Sequence, residues 1–201
     1  QRAVADGEVE HPRIARRIAA GIPGIQPQSG PFVGQNLSAG REDRIQLSDR
    51  FGEAMSWNNL GEVARLQGHG AKARKHYKRS LAVYREMGSD WGAAVALNNL
   101  GEEAQERKDY EQARRYHEEA LRCWPRLGDR WGMAFSLGNL GFVAAQRGEF
   151  EEARTCYGRS LELSRKLGDQ AGTALALYAL AKIAIDQERP GEAETFLAES
   201  L

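Results

Sequence analysis

From about residue 49 onward the apolar residues fall at helical rather than alternating spacing. Trp57, Leu60 and Ala64 stand at i, i+3 and i+7, and Leu97, Leu100 and Ala104 repeat those steps, so each set lines one stripe of a helix. A second stripe follows a short break, running Phe150, Ala153, Tyr157 and Leu161 in the third unit. The breaks read as turns: Gln67-Gly68-His69-Gly70, Arg107-Lys108-Asp109, Arg147-Gly148-Glu149 and Glu188-Arg189-Pro190. Pro190 sits near the start of a helix, where its missing N–H costs little. The pattern predicts helix A, turn, helix B, four times over, with turns near residues 68, 108, 148 and 189.

The units keep one period. Asn59-Leu60-Gly61 returns as Asn99-Leu100-Gly101 and Asn139-Leu140-Gly141, a spacing of 40 residues without slippage. Gly52/Gly92/Gly132/Gly172, Ala73/Ala113/Ala153/Ala193 and Leu81/Leu121/Leu161/Leu201 hold the same register. Units of this length cannot each bury an apolar face alone, so they stack as a solenoid. Gly88, Gly128 and Gly168 follow apolar residues where a helix end wants a left-handed residue, and Ser89, Asp129 and Asp169 come next as N-caps. Such short joints leave room only for antiparallel packing. Small residues at Gly61, Gly101, Gly141 and Ala181 let neighbouring helices approach closely.

These columns, with Gly70/Tyr110/Phe150/Pro190, Tyr77/His117/Tyr157/Leu197 and Ser80/Ala120/Ser160/Ser200, resemble the tetratricopeptide repeat. The usual unit is about 34 residues; this one looks like the longer variety of kinesin light chains, polarity adaptors and large bacterial ATPase regulators. The resemblance covers roughly residues 49 to 201 and departs from the pattern at Ala64, Ala104, Ala144 and Ala184, where the family often has Tyr. It implies an all-α, right-handed superhelical solenoid of antiparallel helix pairs, with repeats at 49–88, 89–128, 129–168 and 169–201.

Residues 1–48 leave the register and form an irregular N-terminal segment. Ile14 to Ala20 and Glu42 to Leu47 can form short helices, while Gly21 to Gly40 holds five Gly and three Pro, which resist regular structure. Its Ile22, Ile25, Phe32 and Val33 suit either the groove of the repeats or a cap over the first one. Leu201 stands on a core column with no polar capping helix after it, so the chain reads as a fragment of something larger or as one whose open end a partner covers.

Lys plus Arg and Asp plus Glu number 28 each, so no net field favours nucleic acid or an anionic membrane. Cys123 and Cys156 lack C-x-x-C spacing and read as reduced structural thiols, and no stretch is long and apolar enough to span a bilayer. The expectation is a cytoplasmic, soluble protein with no direct nucleic-acid or membrane contact. The four histidines are scattered without metal spacing, and Gly-Asp-Arg-Trp-Gly at 128–132 lacks the Lys-Ser/Thr of a phosphate loop, so no catalytic, metal or cofactor site is expected.

The side of helix A opposite the apolar stripe is the expected concave wall. It presents Met55, Asn58, Asn59, Glu62 and Arg65 in the first repeat and Val95, Asn98, Asn99, Glu102 and Gln105 in the second. An asparagine carries a donor and an acceptor, matching the N–H and C=O of an extended peptide. The resemblance implies peptide contact at Asn58, Asn98, Asn59, Asn99 and Asn139; the other reading of the 59/99/139 column is a hydrogen bond to an adjacent helix. Further along, Phe135, Phe142 and Tyr178 with Gly138 between them suggest an apolar pocket, or packing against the fourth repeat. Glu62, Glu102 and Glu106 call for a ligand with a basic stretch and an apolar anchor. The basic run Lys72 to Arg79 reads as a solvated outer face, or as a dock for an acidic partner.

The expected function is therefore a non-enzymatic protein- or peptide-binding scaffold, with self-association through the open C-terminal repeat or the N-terminal segment. The alternative is the sensor region of a multidomain bacterial transcription regulator or signalling ATPase, whose Leu-Gly-Asp-Arg-Trp-Gly style appears at 127–132.

Overall fold

The computed structural model describes residues 41–200, and the expectations for Ile14–Ala20 and Gly21–Gly40 lie outside that span. The described residues form eight helices and no strand: α1 Arg41–Leu66, α2 Gly70–Glu86, α3 Asp90–Glu106, α4 Tyr110–Leu127, α5 Arg130–Gln146, α6 Phe150–Leu167, α7 Gln170–Asp186 and α8 Pro190–Glu199. Odd-numbered helices are the A helices and even-numbered ones the B helices. Each A packs on its own B, each B on the next A, and successive A helices touch one another, so the four pairs stack as a solenoid. The first helix starts at Arg41, taking in the Glu42–Leu47 segment and running straight through Phe51.

The joints follow from the residues that occupy them. Gly88, Gly128 and Gly168 have φ of +66°, +65° and +67°, the left-handed turn that ends each B helix without a Cβ clash. Ser89, Asp129 and Asp169 then accept from the N–H groups of Gly92, Gly132 and Gly172, capping the next A helix. Inside each pair, Ala73, Ala113, Ala153 and Ala193 are buried where the two helices meet. Ser80 and Ser160 each donate a hydroxyl across the pair, to the carbonyls of Ala54 and Ala134, at 2.8 Å. Leu97, Leu137 and Leu177 are almost fully buried, each contributing about 1.5–3 kcal/mol.

Leu60 departs from its stripe. Leu100, Leu140 and Leu180 in the same column are buried, but Leu60 is 48% exposed, because this column packs on the preceding repeat rather than on helix B alone. Val63 is likewise exposed where Val143 and Ile183 are buried.

Ion pairs mark the register between neighbouring repeats. On the B helices, Arg114 reaches Glu149 at 3.2 Å and Glu152 at 2.7 Å, and Arg154, at the same place one repeat on, reaches Glu192 at 2.5 Å. On the A helices Arg65 pairs with Glu106. Arg74 turns instead to Glu103, a carboxylate buried at the first joint and also held by Arg107, at 3.0 Å in both cases. The solvent-facing pairs among these add little stability each, but all of them define which residues meet across a joint.

Candidate functional site

The face of the A helices carries the predicted positions, and their surroundings divide them into two groups. Asn98 and Asn99 are buried, and each is hydrogen-bonded to a neighbouring A helix. Asn99 donates its amide to Asn58 Oδ1 at 2.7 Å across the first joint, the adjacent-helix bond that is the second reading of this column. Asn98 lies 3.1 Å from Ser136 Oγ of the next A helix and 3.0 Å from Nδ1 of His117.

His117 sets the polarity of this network. Burial pushes its imidazole down to about 3, so the ring is neutral. The amide nitrogen of Gln105, which can only donate, lies 2.8 Å from His117 Nε2. Nε2 therefore accepts, the proton sits on Nδ1, and Nδ1–H donates to Asn98 Oδ1. Trp124 Nε1 completes the chain by donating to Ser136 Oγ at 2.8 Å. This relay is not visible as a site in the sequence. Its only signals are a histidine in a tyrosine column and a serine, Ser136, in a column that reads Ala96 and Ala176 in the flanking repeats.

The acidic end has one saturated and one open carboxyl. Glu62 accepts from Arg65 at 2.7 Å and from the Tyr77 hydroxyl at 2.9 Å, while the same Arg65 also reaches Glu106. Glu102, half-buried beside them, is bonded by neither of these donors. Burial pushes its carboxyl up to about 7; the nearby Arg65 pulls it down, and Glu62 and Glu106 push it up again. Three carboxylates thus share a single guanidinium.

At the other end the aromatic residues separate. Phe135 is half-buried and stacks on Trp131 one turn back, with ring centroids 5.5 Å apart. Phe142 packs against the core cluster of the third and fourth repeats. Tyr178 is 54% exposed, next to the equally open Leu175. Gly138 faces helix B rather than a pocket floor: a Cβ there would lie 3.6 Å from Ser160 Oγ. Asn59 is exposed, and Asn139 holds a buried amide nitrogen without a hydrogen-bond partner.

Among the described residues no helix is long and apolar enough to cross a membrane. Cys123 and Cys156 are buried free thiols, both pushed up by burial.

A family model for the tetratricopeptide repeat matches residues 52–126 and 132–201. Among solved structures, the chain is similar to BtubC (BKLC) from P. vanneervenii, at 20% identity and a TM-score of 0.68 over 93% of this chain and 84% of that one. It is similar to the apo form of RapI at 16% identity and a TM-score of 0.70, over 80% of this chain and 45% of that one. Aspartyl phosphate phosphatase F from Bacillus subtilis follows at 13% identity and 0.72, over 75% and 40%. The chain thus spans less than half the length of the last two. Likeness at these identities is a likeness of fold. No match is found among curated proteins.

Proposed function

Since the chain belongs to the tetratricopeptide repeat family, we propose that it is a non-enzymatic, cytoplasmic binding module whose A-helix face takes an extended protein or peptide segment. The observation that carries this reading is the acidic end of the face: Arg65 is the one cation beside Glu62, Glu102 and Glu106, it bonds Glu62 and Glu106, and Glu102 is half-buried with no hydrogen-bond donor among the described residues. A lysine or arginine of the ligand supplies the missing partner there. The exposed Asn59 serves the ligand's backbone and the exposed Leu175 and Tyr178 its apolar anchor, while Asn139 and Phe142 shape the wall behind them. Asn58, Asn98, Asn99 and Phe135 act one step back, holding the geometry of the wall through the bonds and stacking they already make.

A second reading is the sensor region of a larger bacterial transcription regulator or signalling ATPase, whose Leu-Gly-Asp-Arg-Trp-Gly style the chain carries at 127–132. Either way the face does the binding. Fluorescence anisotropy with labelled peptides tests it, using one set with a Lys/Arg pair and a Leu or Phe anchor, a second with the basic pair changed to Glu, and a third without the anchor. The first set binds and the other two bind at least tenfold more weakly; equal binding of all three overturns the reading.

A further inference from the structure

The first and fourth repeats differ from the two between them in a correlated way. At the front, Leu60, Val63 and Leu66 are 48%, 51% and 65% exposed. At the back, Ile185 and Leu197 are 57% and 39% exposed. Leu66 and Ile185 are the informative pair, since their columns are otherwise mostly polar. Glu106, Gln146 and Asp186 share the column of Leu66; Arg65 and Gln105 share that of Ile185, with Ala145 between.

We infer that the front face of the first repeat and the back face of the fourth dock on one another in a second copy of this chain, head to tail, continuing the joints inside the stack. The interior register says which residues meet. Arg65 pairs with Glu106 one repeat on; carried past the fourth repeat, the same relation sets Ile185 on Leu66 of the next copy, two exposed apolar residues in place of an ion pair. Tyr110 packs in the cluster of Val143, and Phe150 in that of Ile183; the corresponding pair is Pro190 and Val63.

The charges agree independently. Arg114 reaches Glu149 and Glu152, and Arg154 reaches Glu192. One repeat further the column of Arg114 and Arg154 holds Glu194, while the acidic positions become His69 and Lys72. The signs are exchanged on both sides of the contact at once. Glu194 and Lys72 are both exposed, so a single copy leaves the two halves of the bridge in solvent. A contact between unlike faces leaves each added copy with open ends, so it builds a linear array unless its rotation closes a ring.

Sedimentation velocity of the full chain over a concentration series, at low and high salt, tests the contact. The sedimentation coefficient rises with concentration and less so at high salt. Glu194→Lys and Lys72→Glu each weaken association about tenfold, since a repulsion replaces an attraction, and the double exchange restores it. Circular dichroism checks that the variants keep their helix content. For geometry, Leu66→Cys and Ile185→Cys are mixed under mild oxidation: a disulfide forms between the two variants and not within either alone. A chain that stays monomeric to about 1 mM, or a double exchange that fails to recover, overturns the inference. So does homodimer formation by Leu66→Cys alone, which would mean front-to-front contact. A monomeric Leu66→Cys variant whose introduced thiol resists a maleimide would mean that the front face is covered within its own chain, and overturns it equally.

Discussion

Gly101 lies against the ring of His117 so closely that a Cβ on it would stand 2.3 Å from the imidazole. The ring cannot yield, because Asn98 and Gln105 hold both of its nitrogens. Gly101→Ala therefore forces the two helices of the second repeat apart and costs about 2–3 kcal/mol. Gly158 is the contrast: it lies in mid-helix with open space around its Cα, so Gly158→Ala stabilises by about 0.5–1 kcal/mol through helix propensity alone. Urea denaturation of both variants measures the two signs; a neutral Gly101→Ala would contradict the close packing.

His117 also makes the stack sensitive to acid. Its folded value of about 3 lies below the ordinary 6.5, so between those values the unfolded chain takes up a proton that the folded chain does not. Stability contributed by the neutral ring is complete above about pH 6.5 and is lost as pH falls toward 3, at up to about 1.4 kcal/mol per pH unit. Glu102 acts in the opposite sense across part of that range, so the wild-type profile mixes the two. His117→Leu, the residue that its column carries in the fourth repeat, separates them. The variant starts about 1–3 kcal/mol lower at pH 7, with Asn98 and Gln105 left unpaired, but it loses less on acidification to pH 5 than wild type does. Parallel profiles for the two proteins would mean that His117 does not titrate in this window.

The fold was legible because each repeat states its own register: the turns, the caps at Ser89, Asp129 and Asp169, and the close approach at Gly101 all follow from columns. The candidate face was less so. Asn98 and Asn99 belong by sequence to the exposed side of helix A, but a solenoid buries part of that side against its neighbours, and the sequence of one helix does not mark where the joint falls. Hence Asn99 meets Asn58, and Asn98 meets Ser136. The same effect works in reverse at Leu60, which has the core pattern and lacks a preceding repeat among the described residues to pack on. Glu103 was unreadable for another reason. Its column is otherwise Val63, Val143 and Ile183, and a buried carboxylate there depends on Arg74 and Arg107 arriving from two different places in the chain.

The A–B turns hold a small reserve of stability. Gly68 and Gly148 take the left-handed conformation without penalty, but Lys108 and Glu188 occupy the same place with φ of +62° and +57°. A side chain in that region costs about 1–2 kcal/mol, offset in part by the extra freedom a glycine gains in the unfolded chain. Lys108→Gly and Glu188→Gly each stabilise by roughly 0.5–1 kcal/mol, and together they add, since the turns are far apart in the stack. Thermal melts of the two single variants and the double check this. Destabilisation would show that the side chains contribute more than their backbone costs.

Glu102 gives the proposed binding face a pH signature. Its folded value, about 7, lies above the ordinary 4.5, so the folded chain holds a proton that the unfolded chain has released. Stability from that proton is present below about pH 4.5, declines as pH rises, and is gone above about 7, which makes Glu102→Gln more stable than wild type at pH 8 and no different at pH 4. Ligand binding reverses the preference. A cationic side chain beside the carboxylate favours its charged form, so binding a basic peptide near pH 7 expels a proton and affinity climbs as pH rises from 6 to 8. Calorimetry in two buffers of different ionisation enthalpy reads the released proton directly. In Glu102→Gln the proton release disappears, the pH dependence flattens, and affinity at pH 8 falls by about threefold to tenfold, the value of one charge-assisted contact at a partly exposed site. Undiminished proton release in that variant would move the ionic contact elsewhere on the face.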